Sequence, residues 1–464
     1  MPRLATAPRA PSRTRTTRPS ATLAVTGAAT AVALMNYTAP MLTLPDTAAA
    51  FGTPESARAW LLNGTPLGLA VLLLVAGSLA DGHGRRRVFL LGTLALGAAT
   101  GLGAFAGSTL TFTLARIAQG AASAAVLAGS LGLLADAYPS GRDRIRATGI
   151  WGASVSGGIA LGPLLAGALS LLDWRLAYGV LGLGALLIAA AGTRTLAPET
   201  AAPVRQARPD LPGALTLGLA LASLLTALTL GRDGWLRLPV GLLLIASAAL
   251  TAVFVTVEHR SRTPMVDLTL LRRPAFLAST LGALFTGLAV IGLFSVVPAL
   301  LQSGAGMSPL GAAWLFVLWS GTAFAVALQA RRLAGRLSAA YQLTLGFALS
   351  AAGVLGLLGA LEGPWPRLLP GLLVAGAGSG LLNAALPRLA VDSVPPERAA
   401  MGSGANNTAR YIGSAAGVAL TLALTPAGPD TALLVSAGLA LTGAAITLAL
   451  GRRASPTPRA DGRC

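Results

Sequence analysis

The sequence predicts an all-α integral membrane protein of fourteen transmembrane helices, and three observations carry that expectation. The chain is a series of apolar runs of membrane-spanning length: at ~1.5 Å per residue, a helix needs ~20 residues to cross ~30 Å of hydrocarbon. Only 11% of its 464 residues are charged, and the AVILMFWYC set reaches 54% before 57 glycines are added. A soluble domain carries about 25% charged residues. All 34 basic residues are arginines, and they are distributed by side. With the first residue in the cytosol, 27 fall in tails or loops on the cytosolic side and 5 fall outside, while Arg116 and Arg410 lie well inside a run. That is the positive-inside rule. It accounts for the net charge of +18 without a nucleic-acid partner.

Taken in order, residues 1–20 hold five arginines and no acid, and read as a basic cytosolic tail beside anionic headgroups. The run that follows, 21–44, is too long for the apolar core of a signal peptide. With 59–80, 88–107, 110–135, 148–172 and 176–193 it makes an N-terminal six-helix bundle over 21–193. Residues 194–274 form a linker and an inserted hairpin. The linker is proline-rich (Pro198, Pro203, Pro209, Pro212), spans 212–230 and 238–257 turn around Gly231–Trp235, and a basic stretch follows to Pro274. Six further spans, 275–301, 309–330, 341–361, 368–390, 403–425 and 431–451, make a C-terminal bundle over 275–451. Residues 452–464 return as a cytosolic tail. Continuous apolar runs exclude the alternating pattern of barrel strands. A six, two, six plan is that of two homologous bundles with an inserted pair. Glycines inside the spans read mostly as packing residues that let helix backbones approach in lipid.

Three clusters break the apolar background. Between the second and third spans stands Gly77-Ser-Leu-Ala-Asp81-Gly-His-Gly84-Arg85-Arg86-Arg87. Gly84 permits a tight turn, and Asp81 facing Arg85 and Arg86 across it makes a charge-assisted latch between two helices. The fourth span carries Phe112, Arg116, Gln119 and Gly120 at steps of four, three and one, so the polar pair shares a helical face. An arginine at mid-bilayer costs on the order of 3 kcal/mol, which demands a cavity or a partner. In the fifth span Gly158 and Gly162 form a small-x3-small face, Pro163 bends the helix and Gly167 follows.

In this order the clusters resemble motifs A, B and C of the major facilitator superfamily. The stretch Gly158-x3-Gly162-Pro163-x2-Ala166-Gly167 resembles its antiporter motif, associated with exporters. The fourteen-span plan is similar to its 14-helix drug:proton antiporter branch. Asp173-Trp174-Arg175, Asp267-Leu-x2-Leu-Leu271-Arg272 and Gly402-x-Gly404-x2-Asn407-Thr408-x-Arg410-x2-Gly413 extend the likeness over nearly the whole chain. The resemblance implies two major-facilitator-type bundles, alternating access, and a monomer in the cell membrane of a bacterium with both termini cytosolic. It implies proton-coupled export of a small molecule, and it places Asp136, at the end of the fourth span, with the latch. An importer of the same fold and a facilitator without proton coupling stand as alternatives, with a membrane-embedded enzyme or receptor scaffold behind them.

One departure bears on coupling. That branch typically carries Leu-Asp-x-Thr in its first span, where this chain has Met35-Asn36-Tyr37-Thr38, so the carboxylate is replaced by an amide. No Asp, Glu or His lies deep in a span, which leaves edge acids such as Asp46 and Asp173 as proton sites. Polar residues expected at the cavity are Asn36, Tyr37, Thr38, Asn63, Asn383 and Asn407, with Arg116 and Arg410 as the deep charges. A cavity of that sign favours neutral or weakly acidic compounds over permanent cations. The chain has no lysine, so it cannot carry a nucleotide-binding P-loop itself. His83 and His259 lie far apart in loops, and the single cysteine is Cys464, so neither a metal nor a cofactor nor a disulfide is expected.

Overall fold

The computed structural model describes residues 19–138, 141–197, 211–231, 234, 236–261, 268–333, 337–395 and 399–454. Most of both tails, linker residues 198–210, Asp233 in the hairpin turn and the side chain of Asp81 lie outside the described set. Among the described residues there are sixteen α-helices and no strand. Nine helical stretches of the described residues are long and apolar enough to cross a membrane, and Pro212–Leu228 and Ala339–Leu355 are shorter apolar helices.

The first apolar run is two helices, α1 (Pro19–Thr38) and α2 (Pro40–Phe51). Pro40 sets the break. It has no N–H, so the carbonyl four residues back, that of Asn36, receives no helical hydrogen bond. Ala39 still donates to Met35 O at 2.8 Å, which keeps the two pieces nearly in line. Gly52, at φ 58°, ends α2 in the left-handed conformation that glycine adopts without strain. Then come α3 (Arg58–His83), α4 (Arg85–Ala104), α5 (Thr109–Ala137), α6 (Gly141–Leu169) and α7 (Trp174–Thr195). The turn from α3 to α4 runs through Gly84 at φ 101°. A reciprocal box starts α5: Ser108 Oγ accepts from Thr111 N and Thr111 Oγ1 from Ser108 N, both at 3.2 Å.

The middle pair is α8 (Leu211–Gly231) and α9 (Leu238–Arg260), packed on each other, with α8 also touching α3 and α15. The ninth run opens as α10 (Pro274–Phe285), passes through a π-helical turn at Thr286–Ile291, and continues as α11 (Gly292–Gly304). The chain closes with α12 (Pro309–Leu333), α13 (Ala339–Leu355), α14 (Leu368–Asp392), α15 (Ala399–Leu424) and α16 (Pro429–Ala454).

Among the described residues, α1–α7 meet α10–α16 mainly where α3 packs on α15, α6 on α12 and α2 on α11, with a lighter contact of α2 on α12. Along the first, Asn63 Nδ2 donates to Ala415 O at 2.9 Å and Thr408 Oγ1 to Ala70 O at 3.4 Å. Tyr37 and Ser414 share a hydroxyl hydrogen bond at 2.9 Å, and Gln302 Nε2 donates to Leu42 O at 3.1 Å. At the end of the bundle that carries Gly52 and Trp174, an apolar layer closes the gap. Leu44, Ala48 and Leu62 pack there with Val296, Ala299, Val418 and Leu422. Phe51, Phe112, Trp174 and Tyr178 brace it with edge-on and tilted ring contacts at 5.3–5.9 Å.

Candidate functional site

Arg116 is fully buried, and its place follows from the break in the first run. Its Nη1 donates to Asn36 O at 2.7 Å and to Gln119 Oε1 at 2.5 Å, and Nη2 reaches Tyr37 O at 3.5 Å. Asn36 O is the carbonyl that Pro40 leaves without a donor, so the guanidinium replaces a backbone hydrogen bond. It also stands at the C-terminal end of α1, where the helix dipole amounts to roughly half a negative charge. Gln119 is anchored through Nε2 to Ala99 O at 3.3 Å, and the ring of Tyr178 lies 6.0 Å from the guanidinium carbon. Carbonyls, an amide and a ring surround the cation, and no ion pair to it is formed among the described residues. The Asn36 carboxamide turns away: Nδ2 donates to Val32 O at 3.4 Å, and Oδ1 is buried without a partner. Gly120 lets α5 close on α3, since a Cβ there would collide with Thr65 O and stand 3.0 Å from Gly68 Cα, while Gly64 on α3 leaves the room beside Arg116.

A central cavity lies beside this site, walled by α1, α2, α6, α11, α12, α14 and α15 and the π turn. Of the polar residues expected there, Tyr37, Thr38, Asn383 and Arg410 line it, and Asn36, Asn63 and Asn407 do not. Asn63 is used instead to tie α3 to α15, and Asn407 Nδ2 bonds within its own helix to Ser403 O at 3.0 Å. Arg410 lies over the ring of Tyr411 at 5.4 Å, and Tyr411 meets Tyr37 edge-on at 5.8 Å. Residues that polarity alone did not single out complete the wall, chiefly Phe294, Trp319 and Ser379. The Phe294 and Trp319 rings stack at 4.4 Å and 11°. Tryptophan and phenylalanine inside apolar runs look like any interior side chain, which is why sequence reading passed them over.

The fifth-span glycines divide between two neighbours. A Cβ at Gly162 would collide with Thr38 Oγ1 and stand 2.8 Å from Met35 Cα, and one at Gly158 would stand 2.9 Å from Leu34 Cβ. Both face α1. Gly167 instead faces α12, where its Cβ would stand 2.9 Å from Pro309 O and 3.0 Å from Ala313 Cβ. With Pro163 between them, α6 is held against α1 at one end and against the C-terminal helices at the other.

Of the six residues singled out as the latch, the structure brings Arg85 and Asp136 together at 2.7 Å, with Arg85 Nη1 also donating to Gly132 O at 3.2 Å. The pair joins α4 to α5 and is largely exposed, a setting in which an ion pair is worth ~0–1 kcal/mol. Arg86 Nη2 donates to Thr193 O at 3.0 Å, tying α4 to α7. Gly77 has open space where a side chain would go. Gly84 supplies the turn, and the Asp81 side chain is outside the described set. At the opposite end, Asp173 caps α7 by accepting from Arg175 N at 2.8 Å. Asp46, in α2 but past the apolar span 21–44, is half-buried; that burial, and then Asp173, push its carboxyl above the usual range. Among the described residues, no three His, Cys, Asp or Glu side chains gather to hold a metal ion.

Comparison with known proteins agrees with this geometry. A family model described as Major Facilitator Superfamily matches residues 26–418, and again 281–462. The chain is 33% identical over 406 residues to Multidrug resistance protein Stp of Mycobacterium tuberculosis, covering 86% of this chain and 74% of that one. It is 33% identical over 412 residues to Puromycin resistance protein pur8 of Streptomyces alboniger, covering 86% and 80%. To Cephamycin export protein CmcT of Amycolatopsis lactamdurans it is 32% identical over 439 residues, covering 89% and 87%. Among solved structures, a POT family transporter in complex with a thioalcohol-conjugated peptide superposes with a TM-score of 0.70 at 15% identity. That match covers 94% of this chain and 96% of the other, and it speaks to the fold alone.

Proposed function

The chain belongs to the Major Facilitator Superfamily, and from that membership we propose that it exports small molecules across the cell membrane by secondary active transport. Fourteen spans place both termini in the cytosol, with six helices on each side of an inserted pair. The two bundles rock about the central cavity and expose it to one side at a time. The observation that carries this reading is the cavity itself, walled by helices from both halves and closed at one end by the apolar layer around Leu44 and Val296. In this topology that end faces outside, and we read the layer as the exterior gate. Relatives whose names denote resistance or export support the outward direction.

Protons drive the cycle through an edge acid. Asp46 is the candidate because burial and Asp173 both favour its protonated form, so it titrates at higher pH than a free aspartate at about 3.9. The test is uptake by everted vesicles of puromycin, a cephamycin and ethidium, with and without a protonophore. Expected is protonophore-sensitive uptake of a neutral or acidic compound in preference to ethidium. No uptake above vesicles lacking the protein overturns export, and insensitivity to the protonophore overturns proton coupling. With D46N the rate should lose its dependence on pH in the window above the ordinary aspartate range. An unchanged profile would remove Asp46 from the cycle.

Asp81, with Arg85 and Asp136, is read as a cytosolic latch favouring the outward-facing state. Asp81→Asn is expected to lower transport several-fold while leaving membrane insertion intact, measured as vesicle uptake normalised to protein in the membrane. Full uptake would remove Asp81 from the latch.

A further inference from the structure

Arg410 is the only charged residue among those that line the cavity. Its guanidinium forms no ion pair or hydrogen bond within the described residues, and its Nε is buried without a partner. Trp319, on the same cavity, also holds a buried Nε1 with no partner. Both groups can only donate. An unmatched buried donor is costly and a lone cation in hydrocarbon more so, and an acceptor that arrives with a ligand relieves both. The remaining wall sets the shape of that ligand. Phe294 and Trp319 form a parallel slab, Phe316 tilts against it at 5.2 Å, and Tyr411 lies under the Arg410 cation. Flat aromatic walls favour offset stacking of a flat ring. Tyr37, hydrogen-bonded to Ser414 and edge-on to Tyr411, fixes the frame around Arg410.

We propose that the cavity binds planar aromatic anions, carboxylates above all, with the anionic oxygens on Arg410 and the ring against the Phe294–Trp319 slab. This deepens the export reading by naming the substrate class, and it rests on that reading only for where the ligand is carried. Permanent cations are disfavoured twice over. Arg410 repels them at the wall, and Arg116, behind Tyr37, adds a second positive charge with no carboxylate beside it.

Calorimetric titration of the purified full-length protein in nanodiscs tests this with three probes of one shape: 2-naphthoate, 2-naphthamide and 2-naphthyltrimethylammonium. Naphthoate should bind at least tenfold more tightly than naphthamide, a difference of about 1.4 kcal/mol, and the ammonium compound should not bind. Arg410→Gln should erase the preference for naphthoate while leaving naphthamide affinity within a factor of about two. Arg410→Lys, which keeps the charge, should retain part of the preference and so exclude a merely misfolded site. Trp319→Leu should weaken naphthoate and naphthamide together. Equal affinities in the unaltered protein, binding of none of the probes, or a preference that survives Arg410→Gln each overturn the proposal. Vesicle export of another compound without naphthoate binding sinks this proposal and leaves export standing. Naphthoate binding with no vesicle transport of any compound does the reverse.

Discussion

Gly162→Leu is expected to abolish transport, with at least a tenfold fall in vesicle uptake at unchanged membrane content. The leucine Cβ alone would stand 2.8 Å from Met35 Cα and collide with Thr38 Oγ1, before any of its further atoms is placed. Backbone cannot yield as a flexible side-chain tip can, so α6 must move off α1. Overpacking of this kind costs about 1–3 kcal/mol in an ordinary core. Here it also displaces Thr38 and Ile159, which line the cavity, and disturbs the α6–α12 contact at Gly167. Gly162→Ala should give a smaller loss of the same kind. Uptake at the normal rate by the leucine variant would reduce the motif to packing that α6 can rearrange at no functional cost.

Arg116→Gln should likewise cut transport at least tenfold, with the thermal midpoint of the solubilised protein unchanged or higher. Two effects oppose each other in stability. Removing the guanidinium leaves Asn36 O and Gln119 Oε1 without a donor, a loss of about 1–3 kcal/mol each. It also relieves the burial of a cation that has no carboxylate partner among the described residues, a penalty of several kcal/mol. The two are of similar size, so stability holds while function is lost. Arg116→Lys should be intermediate, because one ammonium cannot reproduce the forked reach to Asn36 O, Tyr37 O and Gln119. A midpoint lowered by ten degrees or more would make Arg116 a brace for the helix break and not a working charge.

What the sequence displayed and what it hid divide along physical lines. Arg116 was legible because arginine is rare within an apolar run. Its partner was not: the acceptor is a backbone carbonyl 80 residues away, freed by Pro40, and carbonyls carry no residue-type signature. The fifth-span glycines were legible as a close-packing face, but their division between α1 and α12 depends on how the helices cross. The ninth run, 275–301, read as one continuous helix, yet Thr286–Ile291 widens into a π turn. Such a turn changes hydrogen-bond spacing without interrupting apolarity. Asn63 and Asn407 drew attention by polarity, although polarity says only that a side chain needs a partner. For Asn63 that partner is Ala415 O across the seam, and for Asn407 it is Ser403 O in its own helix. The stacked Phe294–Trp319 pair brings together side chains from two runs, so no local pattern announces it.

The seam between α1–α7 and α10–α16 has an electrical consequence. Four hydrogen bonds of the described residues cross it, Asn63 to Ala415, Thr408 to Ala70, Gln302 to Leu42 and Tyr37 with Ser414, each between neutral groups. Each contributes about 0.5–1.5 kcal/mol net, so together they hold the closed form by only a few kcal/mol. Breaking them strands no ion in hydrocarbon and carries no formal charge along the membrane normal. Transmembrane voltage, worth ~2.3 kcal/mol per elementary charge per 100 mV, therefore has no purchase on these four bonds. Salt, which screens exposed charges, has none either. Dependence of the cycle on membrane potential then enters through the displacement of Arg116 and Arg410, through a proton carried by way of Asp46, or through the charge of whatever the cavity carries.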